Sequence, residues 1–180
     1  MGTPEFAVPI LKAIYDSNHK ILEVYTQPAK RKNRGQKINH SQIHINANKL
    51  NLTIRSPDSL NTNEELEHLK KLKPDLVVVV AYGKILPESI LNLDKVLFIN
   101  LHASLLPKWR GAAPIQRSLM NLDNETGVSI MKIVPRLDAG PVMMRKKIKI
   151  TRKQNYKELS EKLSKLGAKL ILDAIKLIES

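Results

Sequence analysis

Two polar residues near the end of a predicted strand are the first candidates for chemistry. The segment FINLHASLLPKWRGAAPI carries Asn100 and His102 where further apolar residues would be expected. Because side chains alternate along a strand, both lie on one face, with Leu101 on the other. An amide that donates hydrogen bonds and an imidazole that exchanges protons could together serve general acid–base chemistry. A structural pair bonded to neighbouring loops is the alternative.

A carboxylate would make such an imidazole more effective, because it orients the ring and favours its protonated form. Asp138 is the best candidate, since it lies in PRLDAGP, a proline- and glycine-bounded loop between two apolar segments. A simple turn-forming role is the alternative for this residue. We predict that Asn100, His102 and Asp138 converge on one pocket.

Other site chemistries have less support. Ser104, His102 and Asp138 supply the residue types of a hydrolase triad, but the glycine-flanked turn that exposes a nucleophilic serine is missing. His40 and His44 have the i, i+4 spacing of helical metal ligands, yet neither an HExxH glutamate nor a clear third ligand accompanies them. The chain contains no GxxxxGK phosphate loop and no GxGxxG fingerprint, so nothing in it supports a nucleotide cofactor.

Alternating helices and strands must position these residues. Apolar segments predict strands over 21–26, 52–55, 75–81, 95–102, 127–134 and 142–150, and helical spacing predicts helices over 3–17, 40–50, 62–72, 114–121 and 155–178. Residues 27–39 are polar, basic and glycine-containing, which predicts a loop. The order predicts an α/β fold with an open, doubly wound, mostly parallel sheet flanked by helices, whose ligands bind beyond the carboxyl ends of the strands.

The N-terminus departs from this pattern. Thr3-Pro4-Glu5 is a typical helix start, and in this fold class such a helix follows a strand. Only Met1 and Gly2 precede it. We therefore expect either that the sheet lacks its first strand or that the true start lies upstream, and a missing strand would leave a neighbouring strand edge uncovered.

Charge and composition narrow the class of partner. Lysine and arginine number 30 against 17 acidic residues, a net charge of +13 that favours an anionic partner such as nucleic acid. A general compositional bias towards lysine is the alternative. The absence of cysteine excludes disulfides and thiolate metal sites. With no signal peptide and no apolar run near the roughly 18 residues that cross a bilayer, we expect a cytoplasmic protein without membrane contact or metal.

Several motifs together resemble a known family. They are Asn100-Leu-His102, Ser104-Leu-Leu-Pro107, Arg110-Gly-Ala-Ala-Pro-Ile115 and Leu137-Asp-Ala-Gly140. The combination resembles the formyltransferase domain that uses 10-formyltetrahydrofolate. Gly2-Thr-Pro-Glu-Phe6 and Thr26-Gln-Pro28, followed by a basic loop, are most similar to the members that act on methionyl-tRNA. The resemblance covers essentially the whole chain and implies a Rossmann-like catalytic domain over residues 1–180, without the family's small C-terminal β-barrel domain.

The resemblance implies a role for each of the three candidate residues. In that family an Asn, a His and an Asp form the catalytic set, which maps onto Asn100, His102 and Asp138. They would transfer the formyl group of 10-formyltetrahydrofolate directly to the amino group of initiator methionyl-tRNA. Asn100 would donate a hydrogen bond to the oxygen that gains charge, His102 would stabilise that charge and move protons, and Asp138 would orient His102 and organise a water.

The resemblance also implies two binding segments. The folate would contact Ser104, Leu105, Leu106 and Pro107, with main-chain groups near Tyr82, Gly83 and 134–137 around its pterin. The tRNA acceptor arm would contact a loop with five cations and no acid over residues 30–37, namely Lys30, Arg31, Lys32, Arg34 and Lys37. We expect a monomer. Two alternatives stay open: a formyltransferase for a small amine, such as an amino sugar or glycinamide ribonucleotide, and a non-catalytic RNA-binding fragment.

Overall fold

Eight strands and six α-helices form within the part of the chain that the computed structural model describes, residues 1–32 and 37–180. The strands are β1 (Val24–Tyr25), β2 (Lys30–Lys32), β3 (Lys37–Asn39), β4 (Ile54–Arg55), β5 (Leu76–Val79), β6 (Leu97–His102), β7 (Glu125–Lys132) and β8 (Val142–Lys149). The helices are α1 (Val8–Tyr15), α2 (Gln42–Lys49), α3 (Asn63–Leu72), α4 (Glu88–Leu91), α5 (Pro114–Met120) and α6 (Tyr156–Glu179). A short 3-10 turn, Glu5–Ala7, leads into α1.

Parallel strand pairs and an antiparallel extension make up the sheets. β1 pairs with β4, and β5 with β6, both in parallel. β6 then pairs with β7, and β7 with β8, in antiparallel, which gives the order β5-β6-β7-β8. Short connections suit antiparallel neighbours, because parallel ones need a longer crossover, and residues 133–141 alone join β7 to β8. The predicted α/β class, with parallel strands flanked by helices, is confirmed.

Met1 and Gly2 lie between β1 and β5. The Gly2 N–H donates to the Tyr25 carbonyl, the Val80 N–H donates to the Met1 carbonyl, and Gly2 pairs with Val80 in a parallel bridge. A Cβ on Gly2 would lie only 3.1 Å from the Val80 carbonyl oxygen, so this close approach favours glycine. Beyond the bridge, a cavity of about 590 Å³ is lined by residues of both strands. Within the described residues, Met1 and Gly2 occupy the position between β1 and β5 in which a strand before β1 would lie.

Helix α6 packs on β7 and β8 and contacts β6 through Leu101. A capping box starts it, with the Asn155 side chain accepting from the Glu158 N–H and the Glu158 carboxylate accepting from the Asn155 N–H. Gly167 allows the helix to approach closely, since a Cβ there would lie 2.9 Å from Cδ1 of Leu101. Leu101 is buried in this contact. Because side chains alternate, the two polar residues beside it lie on the opposite face of β6.

The prediction of a loop over residues 27–39 is wrong for much of that segment. β2 and β3 form an antiparallel ladder, with Lys30 opposite Asn39 and Lys32 opposite Lys37. Backbone hydrogen bonds make such a ladder, so a basic segment can form one without the alternation of apolar residues that signals a strand. Residues 33–36 lie outside the described part of the chain. Helix α4 is also missed by the sequence pattern, because four residues are too few for helical periodicity to show.

Candidate active site

Strand β6 carries two of the candidate residues to its carboxyl end. Asn100 lies opposite Val79 of β5, and His102 lies opposite Ser129 of β7. Both line a cleft of about 980 Å³. His102 is buried, with 7% of its surface exposed, and Asn100 is half-buried. The cleft therefore lies where an open α/β sheet binds its ligands.

Asp138 reaches the same cleft from the loop between β7 and β8. Its backbone is left-handed, with φ of 45°, which aspartate tolerates better than most residues. Oδ2 accepts a hydrogen bond of 2.8 Å from the Gly111 N–H, and Oδ1 accepts one of 3.4 Å from the Asn100 amide. Nδ1 of His102 lies 3.6 Å from Oδ2, an ion-pair distance that is too long for a hydrogen bond. The structure thus brings all three candidate residues together.

The other ring nitrogen of His102 has a different partner. Nε2 lies 2.8 Å from the main-chain carbonyl oxygen of Trp109. A carbonyl can only accept, so Nε2 must carry a proton and donate it. In the neutral ring Nδ1 is then the nitrogen without a proton. This nitrogen faces the Asp138 carboxylate.

The segment Ser104–Pro107 packs on β7 behind His102. Ser129 Oγ donates to the Ser104 carbonyl at 2.7 Å and accepts from the Leu106 N–H at 3.1 Å. The Ser104 hydroxyl donates to the Lys108 carbonyl at 2.6 Å. The residues that line the cleft include Ala103 and Gly111 but none of Ser104–Pro107. The structure therefore does not bring this predicted folate segment into the cleft, and the segment instead shapes the loop that holds His102.

Two further groups at the site, Ser129 and the Gly111 N–H, are not among the residues predicted from the sequence. Ser129 is a fully buried hydroxyl between Val128 and Ile130, so it interrupts an apolar strand in the same way as the polar pair of β6. This polar residue within an apolar strand is a sequence signal that could have identified Ser129. The Gly111 N–H carries no such signal, because every residue except proline has a main-chain N–H.

Tyr82 and Gly83 line the cleft just after β5. The Tyr82 carbonyl accepts hydrogen bonds from the Thr3 hydroxyl at 2.8 Å and from the Gln27 amide at 3.0 Å. Gln27 also donates to the Gly83 carbonyl at 3.1 Å. Gly83 has φ of 79°, a backbone conformation in which any other residue would be strained, and a Cβ there would also displace the Gln27 amide. The motifs Gly2-Thr-Pro and Thr26-Gln-Pro therefore hold this turn in place.

Exposed apolar side chains line the cleft along with its polar groups. Ile85 is 83% exposed and Leu137 is 68% exposed, and both belong to the lining. Residues 133–140 of the β7–β8 loop also line it. A cleft of this size, with apolar walls and a few convergent polar groups, suits a small molecule that is partly apolar.

Four of the five predicted tRNA-binding residues lie on the paired strands β2 and β3. Lys30, Arg31 and Lys32 belong to β2, and Lys37 begins β3. Arg34 lies outside the described residues. Strand β3 leads into α2, whose N-cap, Ser41, lies 2.6 Å from the Thr26 hydroxyl. This bond ties together the two ends of the segment that carries β2 and β3.

His40 and His44 stack with their ring centroids 4.0 Å apart. Burial, together with the neighbouring His40, lowers the pKa of His44. Within residues 1–32 and 37–180 no group of three or more histidine, cysteine or acidic side chains is arranged to hold a metal ion. The helices of this described part include none whose length and apolar character would let it span a membrane.

The central strand of this α/β protein thus ends in an amide and an imidazole, and a carboxylate from a neighbouring loop faces both. Residues 1–175 match the family described as formyl transferase. The chain belongs to the formyl transferase family.

Two groups of relatives are similar to this chain. Methionyl-tRNA formyltransferase of Pelagibacter ubique is 58% identical over 176 residues, which cover 97% of this chain and 57% of the relative. Methionyl-tRNA formyltransferase of a Sulfurihydrogenibium species is 49% identical over 179 residues, 99% of this chain and 58% of the relative. The chain thus spans less than two thirds of the length of these curated relatives. A phosphoribosylglycinamide formyltransferase from Anaplasma phagocytophilum has the same fold, with a TM-score of 0.79 at 21% identity over 98% of this chain and 82% of that one.

Proposed function

We propose that residues 1–180 form the catalytic domain of an enzyme that formylates the amino group of methionyl-tRNA for translation initiation in the cytoplasm, with 10-formyltetrahydrofolate as the formyl donor. The convergence of Asn100, His102 and Asp138 in one cleft carries the proposal of formyl transfer. The identity of 58% and 49% to methionyl-tRNA formyltransferases favours this acceptor over a small amine.

The cleft fits a folate donor. Its volume of about 980 Å³ lies at the upper end of the range for small-molecule sites. Exposed apolar groups such as Ile85 and Leu137 suit the faces of a pterin and its neighbouring ring. Polar main-chain groups at Tyr82–Gly83 and 134–137 would contact the pterin edge. We assign a supporting role to Ser104–Pro107, because these residues pack on β7.

The reaction joins the amine nitrogen of the acceptor to the formyl carbon and breaks the bond from that carbon to N10 of the folate. The formyl oxygen gains negative charge in between. The Asn100 amide, which Asp138 holds through one N–H, would donate its other N–H to that oxygen. Such a donor is worth about 3 kcal/mol of transition-state stabilisation.

Proton transfer is the task that we assign to His102. The amine must lose a proton and N10 must gain one. Nδ1 can accept the first and supply the second, directly or through a water, because Nε2 keeps its proton in the bond to Trp109. Asp138 stabilises the ring while Nδ1 is protonated. His102 therefore returns to its starting protonation state after each turnover.

A panel of acceptors tests this function. Wild-type protein and His102→Ala would be given 10-formyltetrahydrofolate with methionyl-tRNA, glycinamide ribonucleotide or an amino sugar nucleotide. We expect the wild type to formylate methionyl-tRNA only, and the variant to lose at least about 100-fold in rate. Turnover of a small amine instead would overturn the acceptor assignment. Salt-sensitive tRNA binding without turnover in either protein would identify an RNA-binding module.

A further inference from the structure

A buried carboxylate outside the cleft has three hydrogen-bond donors. Asp123 lies in the turn between α5 and β7, and its side chain is only 6% exposed. Oδ1 accepts from Lys108 Nζ at 2.8 Å and from the Asn121 amide at 2.7 Å. Oδ2 accepts from the Trp109 indole N–H at 2.7 Å. The cleft lining does not include Asp123, so the carboxylate does not meet a ligand there.

The environment of Asp123 keeps it ionised. Burial alone would raise the pKa of this carboxyl, but the hydrogen bonds from Lys108, Asn121 and Trp109 outweigh it and lower the pKa. The main chain is anchored as well, because the Asp123 N–H donates to the Ser118 carbonyl at 3.0 Å. The indole of Trp109 is therefore bonded to a fixed anion at the end of α5.

Trp109 connects this anion to the candidate active site. Its main chain is left-handed, with φ of 59°, a conformation that large side chains adopt only when their surroundings impose it. In this conformation its carbonyl points at Nε2 of His102, at 2.8 Å. The indole bond to Asp123 lies at the other end of the same residue, so it opposes relaxation of the backbone to an ordinary conformation.

We propose that Asp123 is a positioning residue: through the Trp109 indole it holds the Trp109 carbonyl against His102, and thereby keeps the proton on Nε2 and leaves Nδ1 to face Asp138. Without that carbonyl, the neutral ring can place its proton on Nδ1, where the Asp138 carboxylate would accept it. A ring in that form has no free nitrogen towards Asp138 and the cleft. The consequence for turnover rests on the proposed function, whereas the position of the proton does not.

The direct test reads the position of that proton. The two ring nitrogens of neutral histidine have distinct ¹⁵N chemical shifts, so ¹⁵N-labelled protein reports the tautomer of His102, assigned by comparison with His102→Ala. Trp109→Phe keeps a ring but removes the indole N–H, and Asp123→Ala removes its acceptor. Asn121→Ala is the matched control, since it removes another donor to the same carboxylate and leaves Oδ2 and Trp109 together.

We expect the wild type and Asn121→Ala to carry the proton on Nε2, and both Trp109→Phe and Asp123→Ala to show a mixture or the Nδ1 form. In those two variants kcat falls roughly 10- to 100-fold while KM for both substrates stays within about twofold. Asp123→Asn keeps an acceptor oxygen for the indole, so its kcat should fall less than that of Asp123→Ala.

An unchanged Nε2 tautomer in Trp109→Phe overturns the proposal, and this variant alone decides the matter if Asp123→Ala does not fold. The failure of the proposed function has a different signature. In that case the wild type does not formylate methionyl-tRNA, whatever the tautomer of His102.

Discussion

At the scale of single residues, three groups share the Asp138 carboxylate. The Gly111 N–H and the Asn100 amide bond to its oxygens, and His102 Nδ1 faces it at 3.6 Å. Because two neutral donors already hold the carboxylate, it keeps its place whether or not the imidazole is charged. Such prior placement of polar groups lowers the reorganisation needed during the reaction.

Asn100→Ala removes the amide that we assign to the formyl oxygen. We predict a fall in kcat of roughly 100- to 1,000-fold with little change in KM, since the donor acts mainly in the transition state. Initial rates with methionyl-tRNA measure this. Asn61→Ala, at an exposed position, is the control and should keep wild-type kcat. A fall of less than about threefold for Asn100→Ala would exclude the oxyanion role.

The Tyr82 hydroxyl is buried and has no hydrogen-bond partner among the described residues. Tyr82→Phe should therefore leave the free energy of unfolding unchanged within about 1 kcal/mol at neutral pH. Tyr25→Phe is the matched control, because the Tyr25 hydroxyl donates to the Glu65 carboxylate at 3.2 Å. Its loss should cost about 1–2 kcal/mol. Denaturant titrations of both variants test the contrast, and equal losses would contradict it.

Tyr82 should also make the free energy of unfolding depend on pH. Burial, with the nearby Glu65 charge, raises the pKa of Tyr82 from 10.0 to about 12. As the pH rises above 10, the unfolded chain ionises at this residue first, so stability falls between pH 10 and 12. Tyr82→Phe removes that contribution, and its free energy of unfolding should decline less steeply over this range. Parallel declines of the two proteins would show that the hydroxyl ionises equally in the folded state.

At the scale of elements, the sequence predicts the strands and helices better than the bonds between their ends. The apolar run after Asp75 and the polar pair of β6 place the central strands correctly, and leucine spacing places α6. The antiparallel direction of β7 and β8 has no counterpart in periodicity, because both directions require the same alternation. The bonds made by Gly111 and by the Trp109 carbonyl involve main-chain groups, which have no residue signature.

The β7–β8 loop depends on glycine for space. A Cβ on Gly140 would lie 1.8 Å from the Lys132 carbonyl oxygen, whereas a Cβ on Gly111 would meet nothing closer than Leu137 at 3.8 Å. Gly140→Ala should destabilise the protein by about 3 kcal/mol and displace Asp138. Gly111→Ala suffers only from its left-handed backbone, which costs about 1 kcal/mol. Thermal unfolding compares them, and equal losses would argue against crowding at Gly140.

At the scale of the whole molecule, the charge of +13 gives the chain a general affinity for polyanions. Five of the cations fall in residues 30–37, the segment that carries the β2–β3 hairpin. A small acceptor amine has little need for such a segment. The position of these cations is therefore a stronger argument for a tRNA acceptor than the total charge of the chain is.

Arg34→Ala with Lys37→Ala should raise KM for methionyl-tRNA while leaving KM for the folate unchanged. The slope of log KM against log salt concentration should also fall by about 1 to 2, because fewer counterions are displaced from the tRNA. Lys169→Ala with Lys176→Ala, which removes two exposed cations of α6, is the control for total charge. Equal effects of the two pairs would show that the hairpin has no special role.

His102 and Asp138 act as one unit in the proposed formyl transfer, and single-turnover rates of the double variant distinguish this from independent roles. The transfer of the formyl group to methionyl-tRNA would be timed for the wild type, His102→Ala, Asp138→Asn and the two changes combined. We predict that each single variant is slowed at least about 100-fold and that the double variant is hardly slower than His102→Ala. A wild-type rate in Asp138→Asn would show that the carboxylate is not needed, and losses that multiply in the double variant would show that the two residues act independently.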